Sequence, residues 1–365
     1  MFTENDLEEL LSYRPELPMV SLYINIYPYG PHSDNTRLQL NHLLKGVDLT
    51  KDGEIIQEYV SMEYDGKSRS LALFSCAEKD YFKTYSLGIP VLDQAKIMDC
   101  PFLSPLVGLL EMYARWGIIL VDRQGARLFS FHMGELEEIE GFYGEAVKQV
   151  KRGGGASFHG RMGGSSASAN IENIIDRNLI DISDHVSNFI LTKHIRRILI
   201  GGSDENIALI KSNLQKSWQS LVAATFPMSM AADHGEISAQ AQNLIKKTTA
   251  EIHSSLVDQA ITLAAKGERG VIGVNDTLNA IHSGQVQTLL VYQGYSETGF
   301  QCQGCGFMTT QDLEVCPFCG GQFQKIIDAV EYSIHEAKQK GAAVHLVSDN
   351  DALLEAGGIA AIMRY

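Results

Sequence analysis

Hydrophobic positions along the chain switch between helical and strand periods, and turn residues separate the blocks. In residues 1–112 an acidic amphipathic stretch at 4–13 predicts a short helix. The β-branched and aromatic run at 20–27, stopped by Pro28, predicts a strand. Leu38, Leu40, Leu43, Leu44 and Val47 fall near helical spacing and predict a helix over 35–47. Residues 70–76 and 81–86 predict paired strands, and 101–115 a helix leading out of this part.

The middle part opens with a buried strand at 117–122, a turn at 123–126 and two further strands at 127–133 and 135–141. A low-complexity stretch follows at 152–170, rich in Gly and Ser. After it, Ile174, Ile175, Leu179, Ile182, Val186, Phe189 and Ile190 predict a long helix over 171–192. A strand at 195–200, a further helix, a strand at 221–226 and a long helix at 238–265 complete it. This strand–helix order predicts an open, largely parallel sheet.

From residue 267 on, short strands at 270–274, 286–291, 343–347 and 358–364 alternate with helices at 276–283, 325–340 and 350–356. The expected fold class is α/β with three α/β domains, 1–112, 113–266 and 267–365. The last is an α/β/α sandwich with a ribbon inserted at 299–323.

That ribbon rests on four cysteines, Cys302-Gln-Gly-Cys305 and, ten residues later, Cys316-Pro-Phe-Cys319. Two CxxC knuckles at this separation suit a closed tetrahedral Cys₄ shell, which points to structural Zn²⁺ rather than to catalysis. Iron is compatible with the same ligands, and two disulfides are the other way to use four thiols. The glycines beside the knuckles, Gly304, Gly306, Gly320 and Gly321, supply open backbone angles.

Composition narrows the class. The 365-residue chain is long enough for two or three cores, and its charged fraction of 20% is modest. Its acidic N-terminal segment lacks the basic start and apolar core of a secretory signal, and no apolar run reaches spanning length, so no membrane is expected. Only Cys76 and Cys100 lie outside the ribbon, which suits a reducing cytoplasm. A net charge of −14 argues against broad affinity for nucleic acid but leaves room for a local basic patch. Lys148, Lys151, Arg152 and Arg161 form one with no acid among them, and Lys193, His194, Arg196 and Arg197 form a second.

The strand 286–291, the ribbon and the chain end Gly357-Gly358-Ile-Ala-Ala-Ile-Met-Arg-Tyr365 resemble the last domain of archaeal and eukaryotic class-1 peptide-chain release factors and of Pelota. The middle part resembles that family's central domain in its strand pair, glycine-rich loop, long helix and Ile198-Leu-Ile-Gly-Gly202. The resemblance covers residues 116–365; residues 1–112 match in position and size only. It extends to bacterial branches of the family, which include ribosome hibernation factors of the Balon type. It implies a monomer that occupies the ribosomal A site, contacts rRNA, and has a translational GTPase such as elongation factor Tu as partner.

In that family a Gly-Gly-Gln tripeptide enters the peptidyl-transferase centre and assists hydrolysis of peptidyl-tRNA. The matching segment here is Lys151-Arg152-Gly153-Gly154-Gly155-Ala156-Ser157-Phe158, with Gly155 in place of the glutamine. The resemblance therefore implies ribosome binding without ester cleavage. The expected RNA contacts are Lys151, Arg152, Gly153, Gly154, Gly155, Phe158, His159 and Arg161, which combine cations for phosphate with rings for stacking. A flexible linker is the alternative reading of this loop. The family's Asn-Ile-Lys-Ser loop for codon reading is absent from this sequence. Three functions follow: a non-catalytic A-site factor in hibernation or rescue, a release factor with a variant loop in which Ser157 or His159 acts, and a structural zinc protein that binds nucleic acid elsewhere.

Two further features carry bland readings. Gly201-Gly202-Ser203 reads as a turn with Ser203 capping a helix, and Asp122 with Arg123 as a hairpin turn.

Overall fold

The computed structural model describes residues 2–15, 17–47, 49–113, 115–145 and 164–365. It divides into two compact units, one made of Met1–Met112 and Thr249–Tyr365, the other of Tyr113–Thr248. The architecture is mixed α/β throughout.

The N-terminal stretch runs α1 (Glu4–Ser12), β1 (Met19–Asn25), α2 (Asp34–Leu44), α3 (Thr50–Glu58), β2 (Ser70–Cys76), β3 (Tyr81–Leu87), β4 (Gln94–Met98) and α4 (Ser104–Tyr113). Its sheet has the order β3-β2-β1-β4 and is antiparallel at each pairing. β1 and β2 are central, which is why both read as nearly continuous apolar runs. Val20, Leu22, Ile24, Leu71 and Leu73 face Leu40 of α2 and Ile56 of α3. The helix at 50–58 and the strand β4 were not expected from the sequence. The helix TKDGEIIQE carries a glycine and buries only Asp52 and Ile56, so its apolar stripe is too thin to read. Asp52 is used instead as an anchor, accepting from Ser75 Oγ at 2.6 Å and Ala77 N at 2.8 Å.

The central unit contains β5 (Trp116–Val121), β6 (Gly125–His132), β7 (Glu135–Tyr143), α5 (Gly164–Thr192), β8 (Arg197–Gly202), α6 (Asp204–Asn213), α7 (Lys216–Gln219), β9 (Val222–Pro227) and the first part of α8 (His234–Ala265). The sheet order is β7-β6-β5-β8-β9. Only β5, β8 and β9 run parallel; β6 and β7 are antiparallel, because tight turns join β5 to β6 and β6 to β7 and leave no room for a crossover. The sheet is thus mixed rather than largely parallel. Ile119, Val121, Ile198 and Ile200 pack on the apolar stripe of α5 formed by Leu179, Ile182, Val186, Phe189 and Ile190. That helix begins at Gly164, inside the stretch read as low complexity.

The C-terminal stretch runs β10 (Gly270–Ile272), α9 (Val274–His282), β11 (Val286–Tyr292), β12 (Gly299–Cys302), β13 (Met308–Thr309), β14 (Phe323–Ile326), α10 (Ala329–Gln339), β15 (Ala343–Val347), α11 (Asp351–Glu355) and β16 (Ile359–Met363). Its main sheet has the order β10-β16-β11-β15, parallel only between β11 and β15. Leu290, Val347, Ala360 and Ile362 pack with Val257 and Ala260 of α8 and Leu353 of α11. Strand alternation puts Leu289 and Val291 on the other face, and α9 and α10 lie against this sheet. β13-β12-β14 form the separate ribbon sheet. The first turn of the helix expected at 325–340 is taken by β14, and Asp328 caps α10 by accepting from the backbone of Val330 and Glu331. Buried polar contacts join the two ends of the chain within their unit. Glu331 accepts from Leu103 N at 2.5 Å, from Ser104 N at 3.2 Å and from the Ser104 hydroxyl. No described helix is long and apolar enough to cross a membrane.

Candidate functional site

The glycine-rich segment is carried between β7 and α5 of the central unit. The expected RNA-contact residues Lys151, Arg152, Gly153, Gly154, Gly155, Phe158, His159 and Arg161 all lie outside the described residues. What is described is the base of the loop. Asn178, 3% exposed on α5, accepts from Glu145 N at 3.1 Å with Oδ1. Its Nδ2 donates to Glu145 O at 3.0 Å and to Arg123 O at 3.2 Å. Gly144 N donates to Gln124 O at 2.7 Å, joining the strand end to the β5–β6 turn. A Cβ at Gly144 would stand 2.1 Å from Asn178 Oδ1, so only glycine lets the strand pass so near the amide. Phe142 stacks on His185 of α5, with ring centroids 4.8 Å apart. A pocket of about 370 Å³ opens beside these groups, lined by Tyr143, Glu145, Ile174, Arg177, Asn178 and Asp181.

Asn178 had not been singled out in the sequence, although one signal existed. It is a polar residue three after Ile175 and four before Ile182, on the apolar face of its helix. The bland readings agree with the geometry. Ser203 caps α6 by accepting from Asn206 N, and Asp122 Oδ1 accepts from Gln124 N and Gly125 N in the hairpin turn.

The second site is the cysteine ribbon. The four Sγ atoms of Cys302, Cys305, Cys316 and Cys319 lie within 4.8 Å of one another. Cys302 and Cys319 are 3.4 Å apart, and Cys305 and Cys316 are 3.6 Å apart. Thiolates around a tetrahedral ion at about 2.3 Å stand about 3.8 Å from one another, so the donor set fits one such ion. Both knuckles use the same backbone bonds. Cys302 N donates to Phe307 O and Gly306 N returns to Cys302 O; Cys316 N donates to Gly321 O and Gly320 N returns to Cys316 O. Gly306 at φ +76° and Gly320 at φ +72° occupy equivalent left-handed positions, which explains the glycine after each second cysteine. The backbone N–H of Cys305, against opposing burial and with help from Gly304 N–H, brings the Cys302 thiol down to about 6. Burial pushes Cys305 up to about 12. Asn275 of α9 holds the ribbon in place, accepting from Thr309 Oγ1 at 3.0 Å and Thr310 N at 2.9 Å.

Two family models match the chain. Residues 101–246 match bacterial archaeo-eukaryotic release factor family 10, and residues 251–365 match eRF1 domain 3. The chain belongs to the bacterial branch of the archaeo-eukaryotic release factor family. The match to this family thus takes in both the central sheet with its glycine-loop base and the C-terminal sheet with its ribbon. Solved structures overlap it at low identity. An archaeal translation termination factor, aRF1, is 18% identical, with 98% of this chain and 96% of that one covered and a TM-score of 0.27. Pelota of Archaeoglobus fulgidus is 13% identical over 81% and 79%, with a TM-score of 0.32. A ribosome-bound archaeal Pelota, described together with ABCE1, is 12% identical over 100% and 94%, with a TM-score of 0.41. No curated protein matches the chain in sequence.

Proposed function

We propose that this release-factor-like protein binds the ribosome at the A site and acts in ribosome hibernation or rescue without hydrolysing peptidyl-tRNA. The observation that carries the reading is the pairing of family membership with Gly155 at the position the family gives to glutamine. Backbone amides of Gly153–Gly155 alone lack the side chain that excludes other nucleophiles. Lys151, Arg152 and Arg161 supply phosphate contacts, Phe158 and His159 supply stacking, and Gly153, Gly154 and Gly155 permit close approach to rRNA. A translational GTPase such as elongation factor Tu is the proposed partner. The four cysteines hold Zn²⁺ as a structural ion, with Cys302, Cys305, Cys316 and Cys319 as its ligands. The protein works as a monomer in the cytoplasm, in three functional parts at 1–112, 113–266 and 267–365.

The test is sedimentation of the purified protein with empty bacterial ribosomes, with and without elongation factor Tu and GTP. Stoichiometric co-sedimentation is expected, with no release of peptide from programmed ribosomes. Multiple-turnover cleavage of peptidyl-tRNA would replace this reading by that of a release factor with a variant loop. Absence of binding in every condition would leave a structural zinc protein.

A further inference from the structure

Away from the loop and the ribbon, three side chains from distant parts of the chain converge inside the first unit. Glu111 lies near the end of α4, His253 on α8 and His345 on β15. Glu111 Oε1 is 2.8 Å from His253 Nε2 and 2.7 Å from His345 Nδ1. The three side chains are 12%, 6% and 12% exposed, so they are shielded without being sealed. Their donor atoms all lie within 4.8 Å of one another. The two rings meet edge to face at 5.5 Å. One helical turn before His253, on the same face of α8, the Thr249 hydroxyl is buried with no hydrogen-bond partner.

We propose that Glu111, His253 and His345 form a second metal site, which takes a divalent first-row transition ion through Glu111 Oε1, His253 Nε2 and His345 Nδ1. Two imidazoles and one carboxylate are a nitrogen–oxygen donor set of the kind that holds Zn²⁺, Fe²⁺, Co²⁺ or Mn²⁺ and not the thiolate set of the ribbon. Ligands at bonds of about 2.1 Å stand about 3.0 Å apart at right angles and about 3.4 Å apart in a tetrahedron. Glu111 Oε1 stands 2.8 and 2.7 Å from the two ring nitrogens, so each opens by less than an ångström to admit an ion, and the two nitrogens lie within 4.8 Å of each other. Binding an ion there requires the ring nitrogens that face Oε1 to be free of protons, with each ring carrying its proton on its other nitrogen. Any proton displaced from a facing nitrogen passes to that other nitrogen or to solvent. Three protein ligands leave positions for solvent, and the buried Thr249 hydroxyl one turn away on α8 has no hydrogen-bond partner. The ligands are 142 and 234 residues from Glu111 along the chain. An ion there cross-links α4, α8 and β15, and its binding is linked to the stability of the unit.

Metal content and Co²⁺ absorption of the full-length protein decide the matter. The wild type is expected to take up two equivalents of Co²⁺. One gives the intense near-ultraviolet bands of thiolate ligation; the other gives only weak visible bands. Glu111→Gln, which keeps the shape of the side chain, and His345→Ala are each expected to take one equivalent and lose the weak bands. A Cys305→Ser, Cys316→Ser protein is expected to keep them. The wild-type melting temperature rises with the second equivalent, and that of Glu111→Gln does not. Saturation of the wild type at one equivalent overturns the site, as does a second equivalent that persists in both variants. Should the variants not fold, X-ray absorption of the wild type with only its weaker equivalent exchanged for Co²⁺ gives the answer. A shell with two imidazoles supports the site, and one without them overturns it.

Discussion

Asn178 brackets the backbone of Glu145 from both sides, donating to its carbonyl at 3.0 Å and accepting from its N–H at 3.1 Å. The same amide reaches Arg123 O at 3.2 Å, so one side chain fastens the strand end to the neighbouring turn where the glycine-rich segment leaves the sheet. Asn178→Ala removes three hydrogen bonds at a buried position and strands the groups that made them. The expected loss is about 2 kcal/mol of unfolding free energy in the central unit, read by urea denaturation. A loss within error of zero would mean that solvent replaces the amide and that the loop base is not fastened there. Gly144→Ala is expected to cost at least as much, because its Cβ would strike the same amide.

Glu331 is a second buried fastening. At 1% exposure it accepts from Leu103 N, Ser104 N and the Ser104 hydroxyl, capping the start of α4 with a side chain from α10. Glu331→Ala leaves these donors unpaired and is expected to destabilise the unit by about 3 kcal/mol. Glu331→Gln keeps one acceptor oxygen and is expected to lose less than half of that. Guanidinium denaturation of the two variants side by side checks the order; equal losses would point to packing rather than hydrogen bonding.

Removal of the ion proposed for the ribbon is expected to unfold the ribbon alone. Its own apolar core is Cys302, Phe307 and Cys316 with Cys305 and Phe323 packed against it, too little to hold a fold without the ion. A strong chelator should abolish amide protection in residues 299–323 while the strands β11, β15 and β16 keep theirs, as hydrogen exchange would show. Unfolding of the whole unit at the same chelator concentration would contradict this independence.

Glu138 ties a pH dependence to the central unit. The guanidinium of Arg127, at 2.7 Å, and after it the His234 ring, hold its carboxyl below the usual value against opposing burial. Arg127 also donates to Met230 O and Ala232 O, which fixes the segment entering α8. Because the folded value is depressed, the stabilisation is present above pH 4.5, the ordinary carboxyl value, and is lost as pH falls through the folded one. Glu138→Gln should therefore lower the melting temperature at neutral pH and flatten its fall in acid. The effect is small, since the carboxylate is about a third exposed. Parallel melting curves for the two proteins across the acid range would sink the assignment.

How much was legible in the sequence follows from range. The ribbon was readable because its cysteines sit in two short knuckles, and the expected strands of residues 286–364 follow from local apolar runs. The helix α3 was not, because Asp52 rather than an apolar residue fills one of its two buried positions. Nor was the start of α5, where a small-residue composition that reads as linker continues a strongly amphipathic helix. Glu111, His253 and His345 carry no local signal at all, since only the tertiary fold brings them together.

The proposed loop chemistry yields the last prediction. Arg152 and Phe158 represent its two modes of RNA contact, charge and stacking, and neither belongs to the described core. Arg152→Glu reverses a phosphate contact inside an acidic protein of net charge −14, so electrostatic attraction to rRNA should fall steeply. A loss of at least tenfold in ribosome affinity is expected, with a shallower dependence on salt, since fewer counterions are released. Phe158→Ala should weaken binding by about 1–3 kcal/mol and leave the salt slope unchanged, because stacking displaces no counterions. The two slopes separate the modes. Neither change should alter the melting temperature, so a loss of affinity cannot be traced to misfolding. If both variants bind as the wild type does, the segment is a linker, and ribosome contact must come from other surfaces of the protein.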